Sequence, residues 1–137
     1  MAIIDVTDSI VGRFSTIVAK RAIMGEDINL VNCEKAVITG DRVSTYKKYK
    51  EQDKRGNPLK GPYLPKMPDR FIRRAIRGML PYKQEKGEKA LKRIMCHIGI
   101  PEKFSKEKIE TIPSSSITKS KTFKYISVGK LCQLLKK

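Results

Sequence analysis

The apolar positions at the start of the chain switch period twice. Ile3-Ile4-Asp5-Val6 is a short continuous run closed by Thr7-Asp8-Ser9, the pattern of a buried strand followed by a helix start. Over 10–24, Ile10, Val11, Phe14, Ile17, Val18 and Ala22 recur at helical spacing, with Arg13, Thr16, Lys20 and Arg21 between them. Ser9 is the candidate N-cap of that helix and Gly25 its stop. Ile28-Asn29-Leu30-Val31-Asn32 reads as a second strand. Strand, helix, strand is a βαβ unit, which implies a parallel pair. Its apolar strands imply burial on both faces.

The next run, Ala36-Val37-Ile38-Thr39-Gly40, follows too closely to return parallel, because such a crossover needs about a dozen residues. It is a kinked continuation, a helical turn or an edge strand. Residues 41–53 read as a weakly amphipathic helix, and 55–68, punctuated by Gly56, Pro58, Gly61, Pro62, Pro65 and Pro68, as loop. The sharpest period lies in 69–80. Phe71, Ile72, Ala75, Ile76, Met79 and Leu80 share one face, Arg70, Arg73, Arg74 and Arg77 the other, and Pro81 ends the helix. A short helix over 88–93 then runs into a strand at 94–98. Residues 111–122, rich in Ser, Thr and Lys, read as an exposed extension. Val128, Leu131, Cys132 and Leu135 mark a closing helix that should dock on the body.

At 137 residues the chain is sized for one domain with a real core. Its 30 Lys+Arg against 14 Asp+Glu leave a net charge of +16, unevenly placed. Residues 1–40 carry 4 bases and 5 acids, residues 41–93 carry 17 and 6, and residues 94–137 carry 9 and 3. A neutral start followed by cationic stretches describes a core with binding surfaces for a polyanion. Cys33, Cys96 and Cys132 have no metal or disulfide-framework spacing, and read as apolar thiols of a reducing compartment. No apolar segment approaches membrane-spanning length, and the first residues lack a signal-peptide pattern. The expectation is a cytoplasmic protein without a membrane partner.

Catalytic chemistry is hard to assemble here. The lone histidine, His97, sits in an apolar strand pattern, where a packed and hydrogen-bonded role is commonest. The first βα turn, Thr7 to Gly12, has one glycine where a dinucleotide fingerprint needs three, and Gly129-Lys130 lacks the rest of a phosphate loop. No catalytic residue, metal site, cofactor or small-molecule substrate is assigned. Nucleic-acid chemistry fits better. Tyr46-Lys47-Lys48-Tyr49-Lys50 interleaves rings with ammonium groups, so Tyr46 and Tyr49 are either stacking platforms or core. The guanidiniums of Arg70, Arg73, Arg74 and Arg77 form a fork-bearing row suited to phosphate oxygens, with only Asp69 for local charge relief. Loop 54–68 (Lys54, Arg55, Lys60, Lys66) and tail 111–124 (Lys119, Lys121, Lys124) are flexible, basic and nearly free of acids, and Lys83 and Lys86 complete the candidate contacts. Without a helix-turn-helix, zinc-finger or RNP signature, dispersed charge suits an irregular folded RNA.

Spaced motifs carry a family resemblance. Asp5, Gly12-Arg13-Phe14-Ser15, Ala19-Lys20, Val31-Asn32-Cys33-Glu34-Lys35 and Val37-Ile38-Thr39-Gly40 resemble the first half of the universal large-subunit ribosomal protein thirteen family. Gly61-Pro62-Tyr63, Pro68-Asp69-Arg70 and Arg73-Arg74-Ala75-Ile76-Arg77-Gly78-Met79-Leu80-Pro81 resemble its most distinctive segment. Gly61-Pro62, Pro81-Tyr82-Lys83, Lys124-Tyr125-Ile126 and Gly129-Lys130-Leu131 are closer to the archaeal form. Phe14 and Cys33 stand where leucine and alanine are expected, which bears on packing rather than binding. The resemblance implies a three-layer α/β/α domain over 1–137 with a small, mostly parallel sheet of about four strands and basic extensions. It also implies contact with large-subunit ribosomal RNA and neighbouring ribosomal proteins, and a part in assembly. Two other classes are open on residues alone: a nucleotide-binding enzyme on a doubly wound sheet, by fold analogy, and a membrane-surface protein using helix 69–80.

Overall fold

The computed structural model describes residues 1–137. Strand β1 (Ala2–Asp5), helix α1 (Val11–Ile23) and strand β2 (Ile28–Val31) form the expected βαβ unit, with β1 and β2 parallel and Ile4 opposite Leu30. Alternation along β1 divides the core, since successive side chains in a strand point to opposite faces. Ile4 joins Leu30, Phe14, Val18 and Ala22 in the main core, whereas Ile3 joins Val31 and Phe104 in a smaller cluster on the other side. Helix α1 departs from expectation at its start. Its N-cap is Ile10 with no side-chain cap, and the Ser9 hydroxyl donates backward to the Thr7 carbonyl. Asp8 turns the chain there at φ +52°.

After β2, Asn32 adopts the left-handed conformation and a 3₁₀ turn, Cys33–Lys35, redirects the chain into β3 (Val37–Thr39). This strand is an edge strand of a separate two-stranded antiparallel sheet, Ile38 lying opposite Ile126 of the late strand described below. Helix α2 (Arg42–Lys54) buries no residue fully and is started by Asp41, whose carboxylate accepts from the Ser44 N–H at 3.2 Å. Helix α3 (Pro68–Met79) begins with proline in its first turn, where the missing N–H costs nothing, and buries Phe71, Ile72 and Ile76. It packs along α1.

Helix α4 (Glu85–Lys92) leads into β4 (Ile94–Cys96), parallel to β2. A Cβ on Gly87 would lie 2.1 Å from the Pro81 carbonyl oxygen, so a residue without a side chain is needed to seat α4 against the turn ending α3. Strand β5 (Ile109–Thr111), absent from the sequence reading, pairs parallel with the other edge of β1. The sheet order is β4-β2-β1-β5, giving the mostly parallel four-stranded α/β architecture. Strand β6 (Tyr125–Ser127), also unread, partners β3 and feeds α5 (Val128–Lys136). Val128, Leu131, Cys132 and Leu135 of α5 are buried as its spacing required.

The stretch 111–122 is more firmly held than an exposed extension. Ile10 N–H donates to the Ser115 carbonyl (2.8 Å) and Ile117 N–H to the Asp8 carbonyl (2.9 Å), and Ser115 is fully buried. Most of its side chains are polar, but Ile112 packs against the main core and the segment's backbone hydrogen-bonds to Asp8 and Ile10 beyond the end of β1. Arg21 fastens the far end of β5, binding Glu26 through two contacts of 2.6 Å and Glu110 at 3.3 Å.

Candidate nucleic-acid interface

Helix α3 turns its charged face away from α1 and toward the loop that precedes it. Arg70, Arg73, Arg74 and Arg77 line an open cleft of about 510 Å³ with Pro62, Tyr63 and Pro65 from the loop and Leu91 from α4. No carboxylate lines this cleft. Asp69 gives the row no ion pair; its side chain accepts from the Arg70 N–H at 2.8 Å, at the helix start. The exposed acids of α4 are likewise taken up elsewhere, Glu85 by Lys89 and Glu88 by Lys92.

The four arginines are not equivalent. Arg70 and Arg77 are exposed, and Arg77 lies over the Tyr82 ring at 5.0 Å from its centre. The Arg74 side chain donates to the Tyr63 carbonyl, which fixes it to the loop. Arg73 is half-buried, donates to the Leu91 carbonyl at 3.2 Å, and has a buried Nε with no protein partner. One edge of its guanidinium is therefore structural, while the group still lines the cleft.

The loop carries internal hydrogen bonds. Lys60 and Gly61 N–H groups donate to the Asn57 carbonyl at 3.0 and 2.9 Å, and the Tyr63 hydroxyl donates to the Pro58 carbonyl at 2.8 Å. Lys54, Arg55 and Lys66 line a depression beside it, and Arg55 shares a further one with Arg74. Lys66 also binds the Asp53 carboxylate at 3.0 Å. Lys60 projects from the tip.

Other candidates are placed differently. Lys47, Lys48 and Lys50 are exposed on α2, with the Lys50 ammonium 5.4 Å from the centre of the Tyr46 ring. Tyr49 is packed against the core on one side and lines an open groove on the other. Its ring meets Phe71 edge-on at 5.2 Å, and burial pushes its phenol pKa up. Tyr46 is part-buried against the same core. Lys83 and Lys86 are exposed beyond the end of α3. Lys119, Lys121 and Lys124 are exposed but line none of the depressions around α3.

Two features went unread. Tyr63 lines the arginine cleft and Tyr82 lies under Arg77 at its end, and Phe123, 94% exposed, stands between Lys121 and Lys124. An isolated aromatic in a polar tract was the available signal for Phe123.

The groups that an enzyme reading would use are engaged structurally. His97 Nε2 lies 3.1 Å from the Asn29 side-chain oxygen and its ring meets Phe104 edge-on, with burial and Lys103 lowering its pKa. Burial pushes Asp5 up, but hydrogen bonds from the Thr7 hydroxyl, the Thr7 N–H and Asn32 outweigh it and hold its carboxyl below the usual value. The crevice at the ends of β1 and β5, where a doubly wound sheet would seat a nucleotide, is lined by Asp5 and Asp8 with Lys119 as its one cation. That charge balance opposes a phosphate. No helix is long and apolar enough to cross a membrane; Phe71, Ile72 and Ile76 of α3 are buried in the core, while Met79, expected on the same face, is exposed.

A family model described as Ribosomal protein L13 matches residues 1–103. Large ribosomal subunit protein uL13 of Archaeoglobus fulgidus is 42% identical over 134 residues, covering 97% of this chain and 86% of the relative. The uL13 of Methanosarcina barkeri is 42% identical over 134 residues, covering 97% and 96%. That of Thermoplasma acidophilum is 41% identical over 135 residues, covering 98% of both chains.

Proposed function

We propose, from the premise that this chain belongs to the ribosomal protein L13 family, that it grips large-subunit ribosomal RNA by neutralising phosphates and so helps fix the placement of RNA segments during assembly. The chain is an archaeal-type large-subunit ribosomal protein, from a family of structural constituents rather than enzymes.

The observation that carries the reading is the arginine cleft. Four guanidiniums without a carboxylate in the lining repel one another unless an anion lies among them. Planar forks match phosphate oxygens two bonds at a time and read no base code. Lys54, Arg55 and Lys66 extend the surface along the loop, and Lys119, Lys121 and Lys124 supply a second basic limb. On this reading 1–137 is one domain whose loop 54–68 and segment 111–124 face RNA on the ribosome in the cytoplasm, beside other large-subunit proteins. Lys47, Lys48, Lys50, Lys60, Lys83 and Lys86 add outer phosphate contacts.

The test is equilibrium binding of the purified protein to deproteinised large-subunit ribosomal RNA across a salt series. Each neutralised phosphate adds about 0.7–0.9 to the log–log slope. Four or more contacts predict a slope steeper than about −2.8. An affinity indifferent to salt would refute the reading.

A further inference from the structure

We propose that the apolar groove beside the arginine cleft, bounded by α1, α2 and α3, holds one unstacked base of the RNA strand whose phosphates the cleft grips; this rests on the reading above. The groove measures about 440 Å³, within the range of ordinary ligand pockets. The half-buried Tyr49 ring, set edge-on to the nearly buried Phe71, lines one side, Gln52 contributes an amide, and Arg74 stands at the margin. Arg74 also lines the phosphate cleft and the depression beside Arg55, so one side chain joins the three concavities. A strand that follows this row of guanidiniums passes the mouth of the groove.

Two glycines argue that the groove is kept open for an occupant. Gly12 in α1 and Gly78 in α3 both line it, and a Cβ added at either would meet no atom within 4 Å. Glycine weakens a helix relative to alanine, and neither position has the positive φ that would demand it. No close protein contact accounts for the missing side chains, whereas a flat ring entering between the helices needs the room. No carboxylate lines the groove, and the cationic margin suits a nucleotide better than an aliphatic side chain from a neighbouring protein. Stacking on an aromatic wall with an amide at the base edge is how single-stranded segments are held.

Gly78→Leu and, from the opposite wall, Gly12→Leu put bulk into the groove from positions where the added Cβ meets no protein atom within 4 Å. Each variant is titrated with deproteinised large-subunit ribosomal RNA over a salt series, after a thermal melt shows that it folds. The expected result is a loss of affinity of about 5- to 150-fold, the worth of one stacked base, with the salt slope of the unmodified protein retained. Unchanged affinity in both variants overturns the proposal. So does normal binding to bare RNA with failure only to enter subunits containing neighbouring proteins, which would make the occupant a protein side chain. A wild-type affinity that ignores salt would bring down the phosphate reading itself, and the groove with it.

Discussion

Arg70→Ala combined with Arg77→Ala separates binding from folding more cleanly than any pair that includes Arg73. Both side chains are exposed, and neither donates a hydrogen bond to the protein; the contact that is lost is Arg77 over the Tyr82 ring. An exposed cation–π contact is worth about 0.5–1 kcal/mol, so the melting temperature should move by only a few degrees. If each guanidinium neutralises one phosphate, the salt slope falls by about 1.4–1.8. Carried from a 1 M reference to about 0.15 M salt, that slope corresponds to roughly 10- to 30-fold weaker binding. The same measurement on Arg73→Ala should behave differently. Its loss frees the Leu91 carbonyl as well as a phosphate contact, adding about 1 kcal/mol of instability to a smaller change in slope. Filter binding over a salt series, with calorimetric melts of the same samples, reads both quantities. A double variant whose slope matches the unmodified protein would show that the exposed arginines do not meet phosphate, and the cleft would need another explanation.

Gly87→Ala forces a methyl group to within 2.1 Å of the Pro81 carbonyl and should cost about 1–3 kcal/mol, seen as a lowered denaturation midpoint. Phe14→Ala empties a fully buried site and should cost about 3–5 kcal/mol in the same assay. Asp5 has a carboxyl pKa lowered in the folded state, so its contribution is complete above the unfolded value of about 3.9 and is lost as pH falls through the folded value. Asp5→Asn should accordingly flatten the acid limb of a melting-temperature profile. Burial of Cys33 and Cys132, the latter's thiol pushed up to about 11, predicts that a thiol reagent labels the half-exposed Cys96 first and the other two only as the protein opens.

Local pattern and distant pairing divide what the sequence disclosed. Helix α3 was legible because Phe71, Ile72 and Ile76 recur at helical spacing against the arginines, and α5 because four apolar positions mark one face. Strands β5 and β6 were not, since each is three residues whose partners, Ile3–Asp5 and Val37–Thr39, lie far back in the chain. Segment 111–122 misled for a related reason. Its ties to Asp8 and Ile10 are backbone hydrogen bonds, which leave no mark on residue type. The arginine row could be read from spacing, but the division of labour within it could not. Arg74 meets Tyr63 and Arg73 meets Leu91, contacts set by how the loop and α4 fold back. Tyr49 was ambiguous until Phe71 arrived beside it, because a ring's spacing does not say whether solvent or core receives it.

The antiparallel partnership of β3 and β6 also sets a timetable for synthesis. Val37 and its register mate Ser127 are 90 positions apart, so β3 emerges long before its partner exists. At ordinary elongation rates of about 5–20 residues per second, the delay is roughly 5–18 s. The βαβ start can collapse during that interval, while the β3 edge stays open until the stretch carrying β6 is made.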